Sequence, residues 1–406
     1  MFSPITSTHR RITLVGKSLI LLICLLLTAE AGKAQSVNAT KGGKGLQFVS
    51  ADSVFSTKIN LRIQTLYVGE YDLDNDEYSD QVQIRRARLK LEGFAFRPAF
   101  EYKLELGLSN SDIGGGNQAA NNNTSNVVLD AFVKWNINDN LGLIFGQTKL
   151  PGNRERIISS QKMQFVDRSL LNSRYNIDRD VGIQLHHEFA LGTVVVKEVA
   201  AISMGEGRNI TVDNVGGYDF TGRVEVLPFG EFKGGGDYVG SDLEREETPK
   251  LAIALAYDLN KGASRERGQL GRFFTQHQDL KTIFADAMFK YRGFSAMAEF
   301  ADKTSSGSPV VETDLETGDV KNSFFTGSGF NIQAGYLFKN NYEVAGRFTN
   351  VDPEAATQRE ENKQYTLGLS KYILGHTVKA QTDVSLLREQ QKWSNLMYRF
   401  QFEVGF

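Results

Sequence analysis

The sequence predicts an all-β protein, a sixteen-stranded antiparallel transmembrane β-barrel, and three observations carry that prediction. First, the C-terminal stretch alternates. Leu396, Tyr398, Phe400, Phe402, Val404 and Phe406 are apolar, while Met397, Arg399, Gln401, Glu403 and Gly405 are mostly polar or small. Period two over such a length is a strand with one apolar and one wet face, about as long as a tilted membrane-crossing strand. Second, the same alternation recurs along the chain, with Gly 39, Tyr 14 and Phe 27 against only Pro 7, which suits many aromatic-rich strands. Third, 406 residues is long for one soluble core, whereas a barrel around a wet lumen has no core to outgrow. Beyond the N-terminal region no run is apolar enough for a helical span.

In chain order, the first strand carries Ile59, Leu61, Ile63 and Tyr67 on one face and Lys58, Asn60, Arg62 and Gln64 on the other. A polar loop is expected over 72–80. The second strand, about 81–96, changes parity from Val82 and Ile84 to Ala87, Leu89 and Leu91, which predicts a bulge at Arg85-Arg86. Arg97-Pro98 is a tight turn. The third strand turns Phe100, Tyr102, Leu104, Leu106 and Leu108 outward, and a Gly/Asn-rich connection over 110–126 follows. Strands four and five, near 127–137 and 141–149, meet at Asn138-Asp139-Asn140. A long segment over 150–180 leads to strand six near 181–190. Further strands are expected near 193–204, 219–228, 250–259, 281–292, 294–302, 328–339, 342–350, 363–373, 377–388 and 396–406. Short and long connections alternate, as in barrels with short inner turns and long outer loops. The segment 229–249 breaks that rule, being long on the short-turn side. Trp135 and Trp393 sit at strand ends, where interfacial aromatics belong.

The N-terminus reads as a targeting segment. Arg10, Arg11 and Lys17 precede the apolar run from Leu19 to Leu27, and Ala29-Glu30-Ala31 or Gly32-Lys33-Ala34 offers the cleavage site. We therefore divide the chain into a signal peptide (1–34), a lead-in (35–50) and a barrel (51–406), bound for a bacterial outer membrane. The one cysteine, Cys24, would leave with the signal, so no thiol, disulfide or cysteine-based metal site is expected. Processing takes the net charge from −2 to about −5, which gives no global basic field for nucleic acid.

Inward-facing positions mix bases such as Arg62, Arg88, Lys103 and Arg399 with acids such as Glu105, Asp130 and Glu403, in near balance. Any selectivity must then be local. The densest cluster lies in the long segment, where Lys149, Arg154, Arg156, Lys162, Arg168, Arg174 and Arg179 outnumber Glu155, Asp167, Asp178 and Asp180. If that segment enters the lumen it presents guanidinium forks suited to phosphate. Other signals fail. Asp72, Asp74, Asp76 and Asp80 imitate a calcium loop, but Glu77 and Gln83 stand where that loop needs Gly and Glu. His186 and His187 point to opposite faces of one strand. No G-x-S-x-G motif occurs, and no Ser–His–acid site can be assembled, so an enzyme is not expected. No cofactor or metal is expected.

Leu61–Gln64, Gln83–Gly93, Gly146–Arg156, Gln164–Leu171, Asp180–Gln184 and Phe289–Ser295 together make the chain resemble the phosphate-selective porin O and P family, particularly its Bacteroidetes forms. The resemblance covers nearly the whole processed chain. It implies a homotrimer of sixteen-stranded barrels, each with an inward-folded third loop, passing small anions such as phosphate across the outer-membrane lipid. Carried over by motif, the anion-binding constriction would comprise Arg62, Arg85, Arg86, Asp130, Arg156 and Arg168. Ile144 stands where phosphate-binding members carry a lumen lysine. A general-diffusion porin without anion specificity is the alternative. Two further expectations follow: Arg399 lies on the wall away from the long segment, and Gln401, on the wet face, tolerates substitution.

Overall fold

Backbone pairing closes the chain on itself. The computed structural model describes residues 36–39, 45–113, 126–210, 214 and 217–406. The expected signal peptide with Cys24 and most of the Asn-rich connection lie outside the described residues. Sixteen strands form the wall, each antiparallel to its neighbours in chain order. They are β1 (Phe55–Asp72), β2 (Glu77–Ala95), β3 (Phe100–Gly107), β4 (Val128–Asn136), β5 (Leu141–Lys149), β6 (Arg179–Leu191), β7 (Val194–Ser203) and β8 (Asp219–Leu227). The second half comprises β9 (Lys250–Arg265), β10 (Phe273–Tyr291), β11 (Phe294–Ser305), β12 (Gly327–Leu337), β13 (Tyr342–Pro353), β14 (Asn362–Leu374), β15 (Val378–Glu389) and β16 (Lys392–Gly405). β16 returns to β1, with Phe400 opposite Tyr67 and Gly405 opposite Arg62. The last residue continues the ladder, Leu61 and Phe406 exchanging backbone hydrogen bonds of 2.7 and 2.9 Å.

β16 stops level with Arg62, which leaves the start of β1 without a neighbour on that side. A short strand, Leu46–Val49, fills the gap by pairing with Ser56–Ile59, and Ser36–Ala39 pairs with it in turn. The sequence marks this stretch only as a lead-in to the barrel. It hydrogen-bonds a strand edge that would otherwise stand open.

Alternating burial separates two faces. On β16, Leu396, Tyr398, Phe400 and Phe402 are 40–44 % exposed, whereas Gln401 and Glu403 are fully buried. The outward side chains form a belt around the barrel that includes Phe145, Ile183, Ile253, Leu255, Leu367 and Leu369. Trp135 stacks on Phe100 at the end of β4, and Trp393 meets Tyr365 edge-on at the start of β16. Both tryptophans sit near strand ends, as the sequence places them, and the two pairs lie at opposite rims.

Two differences from the sequence reading concern strand length. The polar loop expected over 72–80 is only the turn 73–76, because β1 and β2 run on as a paired ribbon. β10 likewise starts at Phe273. These extensions lie beyond the apolar belt, where backbone pairing continues but hydrophobic alternation no longer marks it. The expected bulge is present: Gln64 faces Arg86 and Thr65 faces Ile84, leaving Arg85 as the extra residue. Consecutive strand residues normally point to opposite faces. The bulge lets Arg85 and Arg86 both reach Asp167.

The wet face of β16 is not a permissive surface. Gln401 joins an amide ladder in which Gln64 donates to Gln401, Gln401 to Gln381 (2.6 Å), and Gln381 to the Gln164 carbonyl (2.9 Å). The expectation that Gln401 tolerates substitution is therefore corrected. Gln401→Ala leaves buried amides without partners and should cost about 1–3 kcal/mol. Phe402→Arg should cost about 2–4 kcal/mol by placing a charge in the outward apolar belt of a membrane barrel. Urea unfolding of both variants in lipid vesicles measures the two costs.

Candidate functional site

The site is built where residues 150–178, between β5 and β6, meet the buried faces of the wall. Short helices punctuate the outer connections: α1 (Asn110–Ile113), α2 (Arg154–Ile157) and α3 (Leu170–Tyr175). Ser169 caps α3, its hydroxyl accepting from Asn172 N at 3.2 Å. Helices of four to six residues are too short for a 3.6-residue period to register in sequence, so the sequence shows only a long charged segment.

Apolar side chains seat this segment first. Leu150, Leu171, Tyr175 and Ile177 pack with Ala201, Ala256, Phe284, Ala301 and Val351. Ile158 and Met163 pack with Leu227, Phe232, Ala252, Met288 and Met297. The inward face of β7–β13 thus carries small and apolar residues amid its polar ones, and a purely wet lumen lining is not what the structure has there.

Polar anchors fix the register. Arg154 is fully buried, donates to Asp286 (2.7 Å) and the Asp237 carbonyl (2.8 Å), and pairs ionically with Glu225 at 2.9 Å. Arg223 grips the same Asp286 at 2.7 Å and the Gly152 carbonyl at 2.7 Å. Glu155 N donates to Glu299 at 2.6 Å, and Val166 N to Asp383 at 3.1 Å. The long turn 228–249, which broke the alternation rule, packs against this segment. Gly240 N donates to the Lys162 carbonyl at 2.8 Å, and Asp242 accepts from Gly293 N at 2.6 Å.

Against the β1–β6 side a cavity of about 720 Å³ remains. Arg85, Arg86, Asp130, Arg156 and Arg168, all expected from the sequence, line it. Arg62 does not. It is buried in a pair with Glu403 at 2.8 Å and donates to Ser160 at 2.9 Å, because β1 brings it alongside the end of β16. Arg399, expected away from the segment, lines the cavity and approaches Asp167 at 4.0 Å as well as Asp383 at 2.6 Å. That expectation is corrected: Asp167 comes to β16 because the segment crosses toward it. Arg88, Lys103 and Arg179 also line the cavity, as does Arg208 from the β7–β8 connection. Strand parity marked the first two as inward-facing; nothing in the sequence pointed to Arg208. Ile144 contributes an aliphatic patch to the lining.

Ten basic side chains and five carboxylates line this space. Most guanidiniums are held by acids: Arg85 and Arg86 by Asp167, Arg88 by Asp112 (2.6 Å) and Glu105, Arg156 by Asp178, and Arg179 by Asp130 (2.7 Å). Against the cost of burial, Arg85, Arg86 and Arg399 hold the Asp167 carboxyl below its ordinary range. Three cations have no carboxylate within ion-pair distance among the described residues. Lys149 donates to the carbonyls of Ile157 (2.9 Å) and Ile158 (3.2 Å), Arg168 to those of Glu155 (2.9 Å) and Ile158 (2.8 Å), and Arg208 to that of Asp112. Burial, then Arg156 and Arg86, pushes the Arg168 guanidinium well below its usual pKa.

Two features set aside in the sequence are accounted for. Asp72 accepts from Asp74 N and Asn75 N at 2.9 and 3.0 Å, an Asx turn that closes the ribbon. His187 pairs with Glu198 at 3.0 Å, while His186 meets Gln184 at 3.2 Å.

A closed sixteen-stranded barrel enclosing a charged cavity defines a porin-fold membrane protein. The model of the family phosphate-selective porin O and P matches residues 57–226, that is β1 through nearly all of β8. The fold is similar to that of the anion-selective porin from Comamonas acidovorans, with TM-score 0.56 and 12% identity over 87% of this chain and 100% of that one. It is likewise similar to OmpF of Salmonella typhi (TM-score 0.53, 12% identity, covering 87% and 98%) and to a loop-deletion mutant of OmpT from Vibrio cholerae (TM-score 0.54, 8% identity, covering 87% and 100%). A search of curated proteins finds no match.

Two measurements probe these electrostatics. Asp286→Asn leaves Arg154 and Arg223 without their shared acid and should destabilise the barrel by about 3–5 kcal/mol, read by thermal unfolding. It should also expose residues 150–178 to limited proteolysis. In the β7–β8 connection, burial and Asp180 push the Glu206 carboxyl up to about 7. The folded state therefore holds that proton more tightly than the unfolded chain, and stability falls as pH rises from the ordinary carboxylate range through about 7. Glu206→Gln should flatten that slope, leaving the unfolding temperature unchanged at acidic pH and raised at alkaline pH.

Proposed function

We propose that this chain is an outer-membrane porin giving passive diffusion to small anions, phosphate among them, and that residues 150–178 fold inward to narrow its lumen. The carrying observation is the cavity of about 720 Å³ in which Lys149, Arg168 and Arg208 have, among the described residues, carbonyls but no carboxylate as partners. A small anion entering there replaces weak dipolar contacts with charge-assisted hydrogen bonds. A narrow low-dielectric passage strengthens such contacts beyond what bulk water allows. The apolar outward belt supplies the lipid-facing surface, and the family resemblance supports both the porin reading and a homotrimer.

One observation favours the alternative, a general-diffusion pore. The five lining carboxylates already hold most of the guanidiniums. The expected anion preference is accordingly modest, and the six residues carried over by motif act unequally. Arg168 contributes most and Arg62, tied to Glu403, least.

Reversal potentials of the purified protein in a planar bilayer, under a salt gradient and with phosphate against chloride, test this reading. Arg168→Ala should weaken anion preference by about 1 kcal/mol, a several-fold change in permeability ratio, whereas Lys281→Ala, on an outward position, should leave it unchanged. Cation preference in the unmodified protein would end the anion reading, and a folded protein that never conducts would end the porin reading. Native mass measurement in detergent checks the trimer.

A further inference from the structure

Two cavities meet at a single set of side chains. The arginine-lined cavity reaches toward the long outer connections, its lining including Ser111, Arg208 and Leu270. A second cavity, of about 380 Å³, reaches the opposite end of the barrel, where it is lined by the β4–β5 turn Asn138-Asp139-Asn140. Four residues line both: Lys149, Ile157, Gln184 and His186. They stand in one frame. Gln184 donates to the Lys149 carbonyl at 2.9 Å, His186 meets the Gln184 amide oxygen at 3.2 Å, and the Lys149 ammonium crosses to the Ile157 carbonyl at 2.9 Å. On the other flank of the segment the gap to the wall is bridged. Arg62 donates to Ser160 at 2.9 Å, and Arg85 and Arg86 hold Asp167 at 3.0 and 3.3 Å.

We propose that the solute route through this barrel passes the Lys149–Ile157–Gln184–His186 window, and that Lys149 and His186 are its specificity-determining residues. The inference rests on the porin reading but moves the narrowest point away from the Arg62, Arg85 and Arg86 wall, where the motif resemblance would put it. The chemistry of the window suits an anion. Among the described residues the Lys149 ammonium meets the Ile157 and Ile158 carbonyls and no carboxylate, so a passing anion can take its hydrogen bonds without first breaking an ion pair. The Gln184 amide, with one N–H beyond that spent on the Lys149 carbonyl, offers a donor on the adjoining strand, the His186 ring narrows the passage beside it, and Ile157 supplies an apolar sill that limits size. The upper arginines then gather anions, and Lys149 admits them.

The test uses the full chain, whose only native cysteine is Cys24, carrying Lys149→Cys, His186→Cys or Ser160→Cys. Each variant is folded, inserted in a planar bilayer and exposed to a negatively charged and then, separately, a positively charged methanethiosulfonate reagent. Modification after folding separates a pore effect from a folding defect. At position 186 either reagent should cut single-channel conductance by on the order of half or more. At position 149 the positive reagent should restore the anion preference that the cysteine loses, and the negative reagent should lower it several-fold further. Position 160 also borders the upper cavity but is 3 % exposed beneath Arg62 and Arg88, and should change conductance far less than position 186. Block at position 160 with none at 186, or equal selectivity after either reagent at 149, overturns the window while leaving the porin reading intact. Absence of conductance in the unmodified protein removes the porin reading and the window with it.

Discussion

The pairing of β16 with β1 is the constraint on which everything else depends. In a bilayer each backbone N–H and C=O without a partner costs several kcal/mol, so an open sheet of this size could not cross it. The chain meets that demand to its last residue, where Phe406 and Leu61 exchange hydrogen bonds. Closure also fixes parity. Once Phe402 faces out, Gln401 and Glu403 must face in, and through them β16 is tied to Gln64, Arg62 and Gln381.

Parity in turn concentrates polar groups inside, and their desolvation organises the interior. Asp286 lies in β10, Arg223 in β8 and Arg154 in the segment after β5, yet all three are buried together. Any one of these charges alone would be prohibitively costly to bury; as a group they satisfy one another. The same logic holds Asp167 against Arg85 and Arg86, for which the bulge in β2 is the geometric requirement. The cavity is what remains where this pairing is incomplete, between β1–β6 and residues that reach back toward them.

The two halves of the wall differ accordingly. Around β7–β13 small and apolar inward residues such as Ala201, Ala252, Ala256 and Ala301 leave room for Leu171, Tyr175 and Met163 of the segment. Around β2–β6 long basic side chains hold space that packing does not fill. An off-centre cavity follows from that asymmetry, with the long turn 228–249 buttressing the packed side.

The sequence by itself determined the strand number, the order of connections, the outward faces and the β2 bulge, because a two-residue period and its breaks are local and a closed barrel repeats them. The motif resemblance also picked out Arg85, Arg86, Asp130, Arg156 and Arg168, which line one cavity. What the sequence could not supply was distance across the barrel. Arg62 withdraws into a pair with Glu403, Arg399 comes to Asp167, and Arg208 enters from a separate connection. Each of those outcomes depends on residues far apart in the chain that meet only after closure. The strand extensions of β1, β2 and β10 escaped notice for a simpler reason: outside the apolar belt, backbone pairing leaves no hydrophobic pattern. Local alternation specifies the wall, whereas the balance of buried charge that shapes the cavity is a property of the closed barrel alone.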